Sequence, residues 1–118
     1  MEQLISLLFL SRDIAHREHL RTDSFAQHMA LGEFYDDIIG HADAIAEAYM
    51  GSYGVLKDFP IQSSLSSLPI IKELEKQVTW IDSNRYKVCD KDDTPIQNLI
   101  DAAVETYLST LFKLKRLK

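Results

Sequence analysis

Residues 24–51 read SFAQHMALGEFYDDIIGHADAIAEAYMG and predict one long, unbroken helix, around which the rest of the fold can be inferred. Ser24 followed by Gln27 matches a capping box, a side-chain pattern that marks a helix start. No proline interrupts the stretch before Met50, and Gly51 suits the left-handed position just after a helix end. At the standard rise per residue this helix would be roughly 40 Å long.

Three further helices are predicted before and after it. The first runs from about Glu2 to Leu20 or Arg21, with apolar residues at helical spacing. The third follows Pro69, and the fourth starts at a second capping box, residues 94–97, and runs to the C-terminus. The side chains expected to be buried are Leu4, Leu7, Leu8, Ser11, Ile14, Ala15 and Glu18 in the first helix, Ile70, Ile71, Leu74, Val78 and Ile81 in the third, and Leu99, Ile100, Ala103, Val104, Tyr107, Leu111 and Leu114 in the fourth.

The connections between the predicted helices differ in length. The first and last are short, whereas residues 51–67 contain Gly54, Pro60 and several serines and are typical of a linker. Two short connections and one long one favour two helical hairpins joined by a crossover, as in ferritin-like bundles, with simple up-down-up-down joining as the alternative. We therefore predict an all-α, antiparallel four-helix bundle that forms a single domain over residues 1–118.

Composition excludes several classes of protein. A chain of 118 residues is long enough to bury one core without disulfides, and Cys89, its single cysteine, has no partner for one. The net charge of −5 argues against a surface built as a whole to hold nucleic acid. The apolar run from Leu4 to Leu10 is too short to span a bilayer and lacks the basic start of a signal peptide. We expect a cytoplasmic protein.

All four histidines lie in the first predicted hairpin, together with several carboxylates that suit the binding of iron, manganese or zinc. His16 and His28 each lie six residues from Thr22, the expected centre of the turn, so they should sit level and could share one ion. Asp43 and Glu47 are four residues apart on one helix face and can act as a pair of oxygen ligands. The alternative for any one of these histidines is an exposed or capping residue without a metal.

The remaining candidates have simpler explanations. His41 lies four residues after Asp37, so a local hydrogen-bonded pair accounts for it, and His19 has a weaker claim than His16 or His28. The basic end, residues 113–118, could contact DNA, although cations at a helix C-terminus are favoured by the helix dipole.

The predicted ligands cannot meet within one chain. His28 and Asp43 are 15 residues apart on one helix, which is about 22 Å at the standard rise. If two copies pair antiparallel about a two-fold axis near Asp36, His28 of one copy comes level with Asp43 of the other. Two-fold contacts are isologous, so the dimer would contain two equivalent sites, each made by both chains. The spacing therefore predicts at least a dimer.

The same residues resemble a known family. Residues 16–47 look like the corresponding part of ferritin-like Dps proteins, mini-ferritins that take up iron. Their signature is a histidine that ends the first helix, a second twelve residues on, an aspartate fifteen beyond that and a glutamate four later. The resemblance implies an iron site shared across a dimer, with dioxygen or peroxide as oxidant and assembly up to a dodecamer, and its metal ligands would be His16, His28, Asp43 and Glu47.

The chain departs from the family pattern at two positions near these ligands. Arg17 replaces a tryptophan, and Gly32 replaces an acidic residue whose loss would weaken one iron position. The chain is also short and has no basic N-terminal tail, as in compact members that occur in phage genomes. The leading interpretation is a ferroxidase. One alternative is a non-enzymatic protein-interaction module on the same scaffold, for example one encoded by a phage. A weaker alternative is a DNA-binding oligomer.

Overall fold

The computed structural model describes residues 1–64 and 68–117, and over these residues the chain forms four helices and no strand. The helices are α1 (Glu2–Arg21), α2 (Phe25–Tyr53), α3 (Ile70–Val88) and α4 (Thr94–Arg116). The predicted all-α bundle of four helices is confirmed. Residues 65–67, the last part of the predicted linker, lie outside the described residues, as does Lys118. No described helix is both long and apolar enough to cross a bilayer.

The predicted start of α2 is confirmed at Ser24. Its Oγ accepts a hydrogen bond from the Gln27 backbone N–H at 3.2 Å, which satisfies one of the unpaired donors of the first turn. In a capping box the Ser24 N–H would donate to the Gln27 side chain. Here it donates instead to Oγ1 of Thr22 at 3.1 Å. The Thr22 hydroxyl in turn donates to Oε1 of Gln27 at 2.5 Å. Thr22 therefore completes the cap from within the turn.

The predicted end of α2 at Gly51 is wrong. The helix continues through Tyr53 and ends at Gly54, whose φ of 94° only glycine adopts without strain. The Gly54 N–H donates to the Met50 carbonyl at 3.1 Å and closes the last turn. Gly51 remains helical because nothing local forces the chain to leave the helix there.

The predicted capping box at the start of α4 is also wrong. Asp93 takes the N-cap position without a side-chain cap bond, and Thr94 is already helical. Gln97 is buried, and its Nε2 donates to the carbonyls of Cys89 at 3.0 Å and Arg85 at 3.1 Å. Both carbonyls lie at the end of α3, where that of Arg85 also accepts the backbone N–H of Cys89 at 3.2 Å. Gln97 therefore ties the second hairpin together instead of capping its own helix.

The core forms where all four helices meet. Phe34 of α2 packs edge-to-face on Tyr107 of α4, with ring centroids 5.0 Å apart, and both side chains are fully buried. Most predicted core positions are buried, and the half-buried exceptions are Leu7, Glu18, Ile71, Val78, Leu99, Val104 and Leu114. Sequence reasoning missed the buried polar pair Glu73 and Gln77; Gln77 accepts a hydrogen bond from the Tyr107 hydroxyl at 2.9 Å.

Side-chain contacts fix the directions of α2 and α4. Glu33, near the start of α2, is paired with Lys113 near the end of α4, and Tyr53 at the end of α2 contacts Asp93 at the start of α4. The two helices are therefore antiparallel. Ile71, near the start of α3, lines the same surface cavity as Ser24, so α2 and α3 begin at the same end of the bundle.

The segment after α2 runs along α1. The Lys57 N–H donates to the Glu2 carboxylate at 2.9 Å, and Oγ of Ser6 donates to the carbonyl of Pro60 at 2.8 Å. Further along α1, the Arg17 guanidinium donates to the Ser64 carbonyl. The segment thus passes from the start of α1 toward its end. Arg17 therefore ties the end of this segment to α1.

Candidate metal centre

Two histidines hold the first hairpin together by reciprocal hydrogen bonds. Nδ1 of His28 donates to the backbone carbonyl of His19 at 2.7 Å, and Nδ1 of His19 donates to the carbonyl of His28 at 2.6 Å. Their imidazoles are stacked, with centroids 3.6 Å apart and an interplanar angle of 18°. The His19 carbonyl is in the last turn of α1, where carbonyls lack helical partners, so the contact also satisfies the helix end.

These hydrogen bonds fix the tautomer of both rings. A carbonyl oxygen only accepts, so each Nδ1 must carry the proton, and in a neutral imidazole the lone pair is then on Nε2. Metal-binding histidines commonly donate one ring N–H to a carbonyl and bind the ion through the other nitrogen. The half-buried His28 therefore has the hydrogen bonding that a metal ligand requires.

Gly32 lies directly against the stacked pair. A Cβ atom added at this position would be 3.1 Å from Cε1 and 3.3 Å from Nδ1 of His19. These separations are tighter than ordinary van der Waals contact, so any larger residue would push the imidazole away. The absence of a side chain at position 32 therefore leaves the space that the His19 ring occupies.

His16 belongs to the same cluster but contacts a different ring. It is exposed, and its imidazole stacks on Tyr35 with centroids 4.1 Å apart and an angle of 9°. His19 lies edge-on to Tyr35 at 5.3 Å and to His16 at 6.0 Å. The ring stacked on His28 is thus that of His19, which the sequence interpretation had ranked below His16.

His19, and not His16, stacks on His28 because of the position of the turn between α1 and α2. Residues 22–24 are the non-helical residues between α1 and α2, so the turn is centred on Asp23 and not on Thr22. His19 is four residues before this centre and His28 five after it. A count from the observed helix ends would have found this pair.

The two predicted carboxylate ligands lie further along α2. Asp43 and Glu47 are exposed, one turn apart, and neither forms an ion pair or side-chain hydrogen bond within the described part of the chain. They share the uninterrupted helix α2 with His28, so the chain does not bring them to the histidines. In residues 1–64 and 68–117 no three His, Cys, Asp or Glu side chains are grouped closely enough to hold an ion.

The fourth histidine contacts another helix. Nε2 of His41 is 2.8 Å from Oγ1 of Thr106 in α4. The predicted local pair with Asp37 is therefore replaced by a link between α2 and α4, which also needs no metal.

The far end of the bundle contains a polar cluster that the sequence did not reveal. The Tyr53 hydroxyl donates to Oδ2 of Asp93 at 2.5 Å, and Sγ of Cys89 donates to the same oxygen at 3.5 Å. The Tyr53 bond lowers the pKa of Asp93, whereas burial raises the pKa of the Cys89 thiol. A buried thiol with a raised pKa is a poor nucleophile, in keeping with a structural role.

Residues 113–116 of the basic end form the end of α4. Lys113 is paired with Glu33 at 2.6 Å and Lys115 with Glu75 at 2.9 Å, and the helix extends to Arg116. These cations lie in the last turn, where the helix dipole favours them. DNA binding by this end stays a prediction.

The comparison with protein families assigns the chain to one of them. A family model described as a family of unknown function, DUF5856, matches residues 19–114. The chain belongs to this family. No curated protein and no solved structure matches it. The DUF5856 match begins at His19 and includes His28, Gly32, Asp43 and Glu47, whereas His16 precedes it.

Proposed function

We propose that this DUF5856 protein is a Dps-like iron-binding protein that oxidises ferrous iron at a site shared by two chains. Its ligands would be His16 and His28 of one chain with Asp43 and Glu47 of the other. The observation that carries the proposal is the hydrogen bond from Nδ1 of His28 to the His19 carbonyl, because it leaves Nε2 as the nitrogen that can bind a cation.

The course of the chain supports a ferritin-like bundle. Two helical hairpins are joined by a segment that passes along α1, with Lys57 beside Glu2 and Ser64 beside Arg17. Joining two hairpins by one long crossover is the ferritin-like arrangement. The alternative, up-down-up-down joining, would need no such segment.

The donor set suits iron. Imidazole nitrogen with carboxylate oxygen binds ferrous iron and leaves open positions for an oxidant. Asp43 and Glu47 are exposed and without partners in the described part of the chain, so no ion pair has to break before they bind a cation. Iron is here the substrate: hydrogen peroxide takes one electron from each of two ferrous ions, and with two protons gives two waters.

The exposed face of α2 supports the two-fold contact. Asp36, Gly40 and Asp43 are all exposed on this helix, and a Cβ atom on Gly40 would meet nothing within 4 Å. Glycine inside an exposed helix costs about 1 kcal/mol relative to alanine, and no contact within residues 1–64 and 68–117 requires it there. A second α2 that approaches this face closely would require it.

Iron binding by variants tests the proposal. Purified protein should bind about one or two ferrous ions per chain, and His28→Ala and Asp43→Ala should each abolish this binding. His41→Ala is the matched control, because His41 contacts Thr106 away from the site. Wild-type binding in both site variants would overturn the proposal.

One surface feature favours a second candidate, a non-enzymatic protein-interaction module. Leu108 and Phe112 of α4 are 53% and 56% exposed and line a groove of about 440 Å³ between α3 and α4. Exposed apolar side chains side by side commonly mark a contact surface. A double substitution, Leu108→Ser with Phe112→Ser, separates the candidates, since it should leave iron binding unchanged while changing the mass of the native assembly if this groove is an interface.

A further inference from the structure

His19 is central to the histidine cluster although it is not among the proposed ligands. Its imidazole stacks on that of His28 at 3.6 Å and lies edge-on to the rings of Tyr35 and His16. It therefore contacts both proposed histidine ligands.

His19 constrains the ring of His28 in three ways. Its carbonyl accepts the Nδ1 proton of His28, its Nδ1 donates to the His28 carbonyl, and its ring covers one face of the His28 imidazole. The hydrogen bond selects the tautomer and the stacked ring limits rotation about the side-chain bonds. Together they present Nε2 of His28 in one orientation.

Gly32 makes this arrangement feasible. The His19 ring lies so close to the α2 backbone that a Cβ on Gly32 would be 3.1 Å from it. The ring therefore packs in the space that a side chain at position 32 would need.

We propose that His19 is a positioning residue, which holds His28 in the tautomer and orientation that leave Nε2 free to bind a cation. This inference rests on the proposed function, because it takes His28 as a ligand. Residues that orient metal ligands by hydrogen bonding typically change metal affinity about 10–100-fold when they are substituted, whereas loss of a ligand removes the site.

The first test uses the metal-free protein, so that it does not depend on iron binding. Two-bond ¹H–¹⁵N correlation spectra at mildly alkaline pH report which nitrogen of each neutral imidazole carries the proton. In the wild type, His28 should appear as the single Nδ1-protonated tautomer. His19→Ala keeps the backbone carbonyl but loses the stacked ring and its Nδ1–H bond, so the His28 ring can turn away from that carbonyl and the second tautomer should become populated. An unchanged His28 pattern in His19→Ala would overturn the proposal.

Two conservative variants separate the contributions of His19. His19→Asn retains an N–H that can reach the His28 carbonyl, and His19→Phe retains a stacked ring without a donor. Each should restore part of the wild-type His28 pattern that His19→Ala loses. His41→Ala is again the control and should leave the His28 signals unchanged, because its partner is Thr106.

Titration with ferrous iron is the second readout. His19→Ala should weaken binding about 10–100-fold, and His19→Asn should recover part of that loss. A loss as complete as in His28→Ala would make His19 a ligand and overturn its assignment as a positioning residue. If the wild type binds no iron while the tautomer results hold, the proposed function fails and the positioning of His28 stands.

Discussion

The imidazole of His19 fills the space that a side chain on Gly32 would need, since a Cβ there would lie 3.1 Å from Cε1. The resemblance to Dps proteins made Gly32 a missing ligand. In the structure the glycine instead allows His19 to pack on α2 and to bond the His28 carbonyl. The departure from the family pattern is therefore linked to a histidine contact between the two helices.

Gly32→Ala is expected to destabilise the protein although alanine is the better helix former. The gain in helix propensity is about 1 kcal/mol. Displacing the His19 ring weakens its N–H···O bond to the His28 carbonyl, worth about 0.5–1.5 kcal/mol, disturbs its stacking on the His28 ring, and adds steric strain. We expect a net loss of about 1 kcal/mol in the free energy of unfolding, measured by urea denaturation.

Gly51→Ala is the control for that comparison. Gly51 is also helical in α2, but a Cβ there would meet nothing within 4 Å, so alanine should stabilise by a few tenths of a kcal/mol up to about 1 kcal/mol. Equal stabilisation by both substitutions would contradict the close contact between Gly32 and His19.

The sequence predicted the helices better than their ends. Ser24 was identified as a cap because its bond to the Gln27 N–H is local. Gly51 and Gly54 have the same intrinsic preference, so the glycines alone do not decide which one ends α2. Gln97 matched a local capping pattern, but its partners are the Arg85 and Cys89 carbonyls of another helix.

The candidate site was likewise predicted only where spacing along one helix determines it. Spacing along one helix correctly separated His28 from Asp43, because the rise per residue is fixed. Spacing across the turn was less reliable, since a shift of the turn centre from Thr22 to Asp23 moves the position level with His28 from residue 16 to residue 18, next to His19. Neither that pairing nor the role of Gly32 follows from local sequence.

A bulky side chain at Gly40 should block the proposed dimer without unfolding the chain. A Cβ at this exposed position has no neighbour within 4 Å among the described residues, so the fold should tolerate Gly40→Arg, whose side chain would project into an α2–α2 contact. Sedimentation should show a shift of the variant toward the monomer, while Gly51→Arg, equally open, keeps the wild-type mass. A wild-type mass for Gly40→Arg would place the contact elsewhere.

Stability should fall at alkaline pH because of Tyr107. Burial raises the pKa of this hydroxyl above the ordinary range for tyrosine. The unfolded chain releases the proton above about pH 10 whereas the folded chain retains it, so the unfolded state binds fewer protons and stability decreases as pH rises. The contribution is up to about 1.4 kcal/mol per pH unit.

Tyr107→Phe should remove this part of the pH dependence. At neutral pH it should also cost about 1–3 kcal/mol, because the buried Gln77 oxygen loses its donor. Free energies of unfolding measured from about pH 9 to pH 11 should decline less steeply for the variant than for the wild type. Equal slopes of unfolding free energy against pH for the variant and the wild type would show that Tyr107 has the same pKa in the folded and unfolded chain.

In the proposed dimer each iron site combines His28 of one chain with Asp43 of the other. The variants His28→Ala and Asp43→Ala should each fail to bind ferrous iron alone. Iron binding should therefore return in part when the two are unfolded, mixed in equal amounts and refolded together. About half of the dimers would then be mixed, and each mixed dimer has one of its two sites intact.

Equilibrium binding of ferrous iron to this mixture is the most direct measurement. The shared site predicts that neither variant binds iron alone and that the refolded mixture binds about a quarter of the wild-type amount. A mixture that binds no more iron than the separate variants, although mixed dimers have formed, would contradict the shared site.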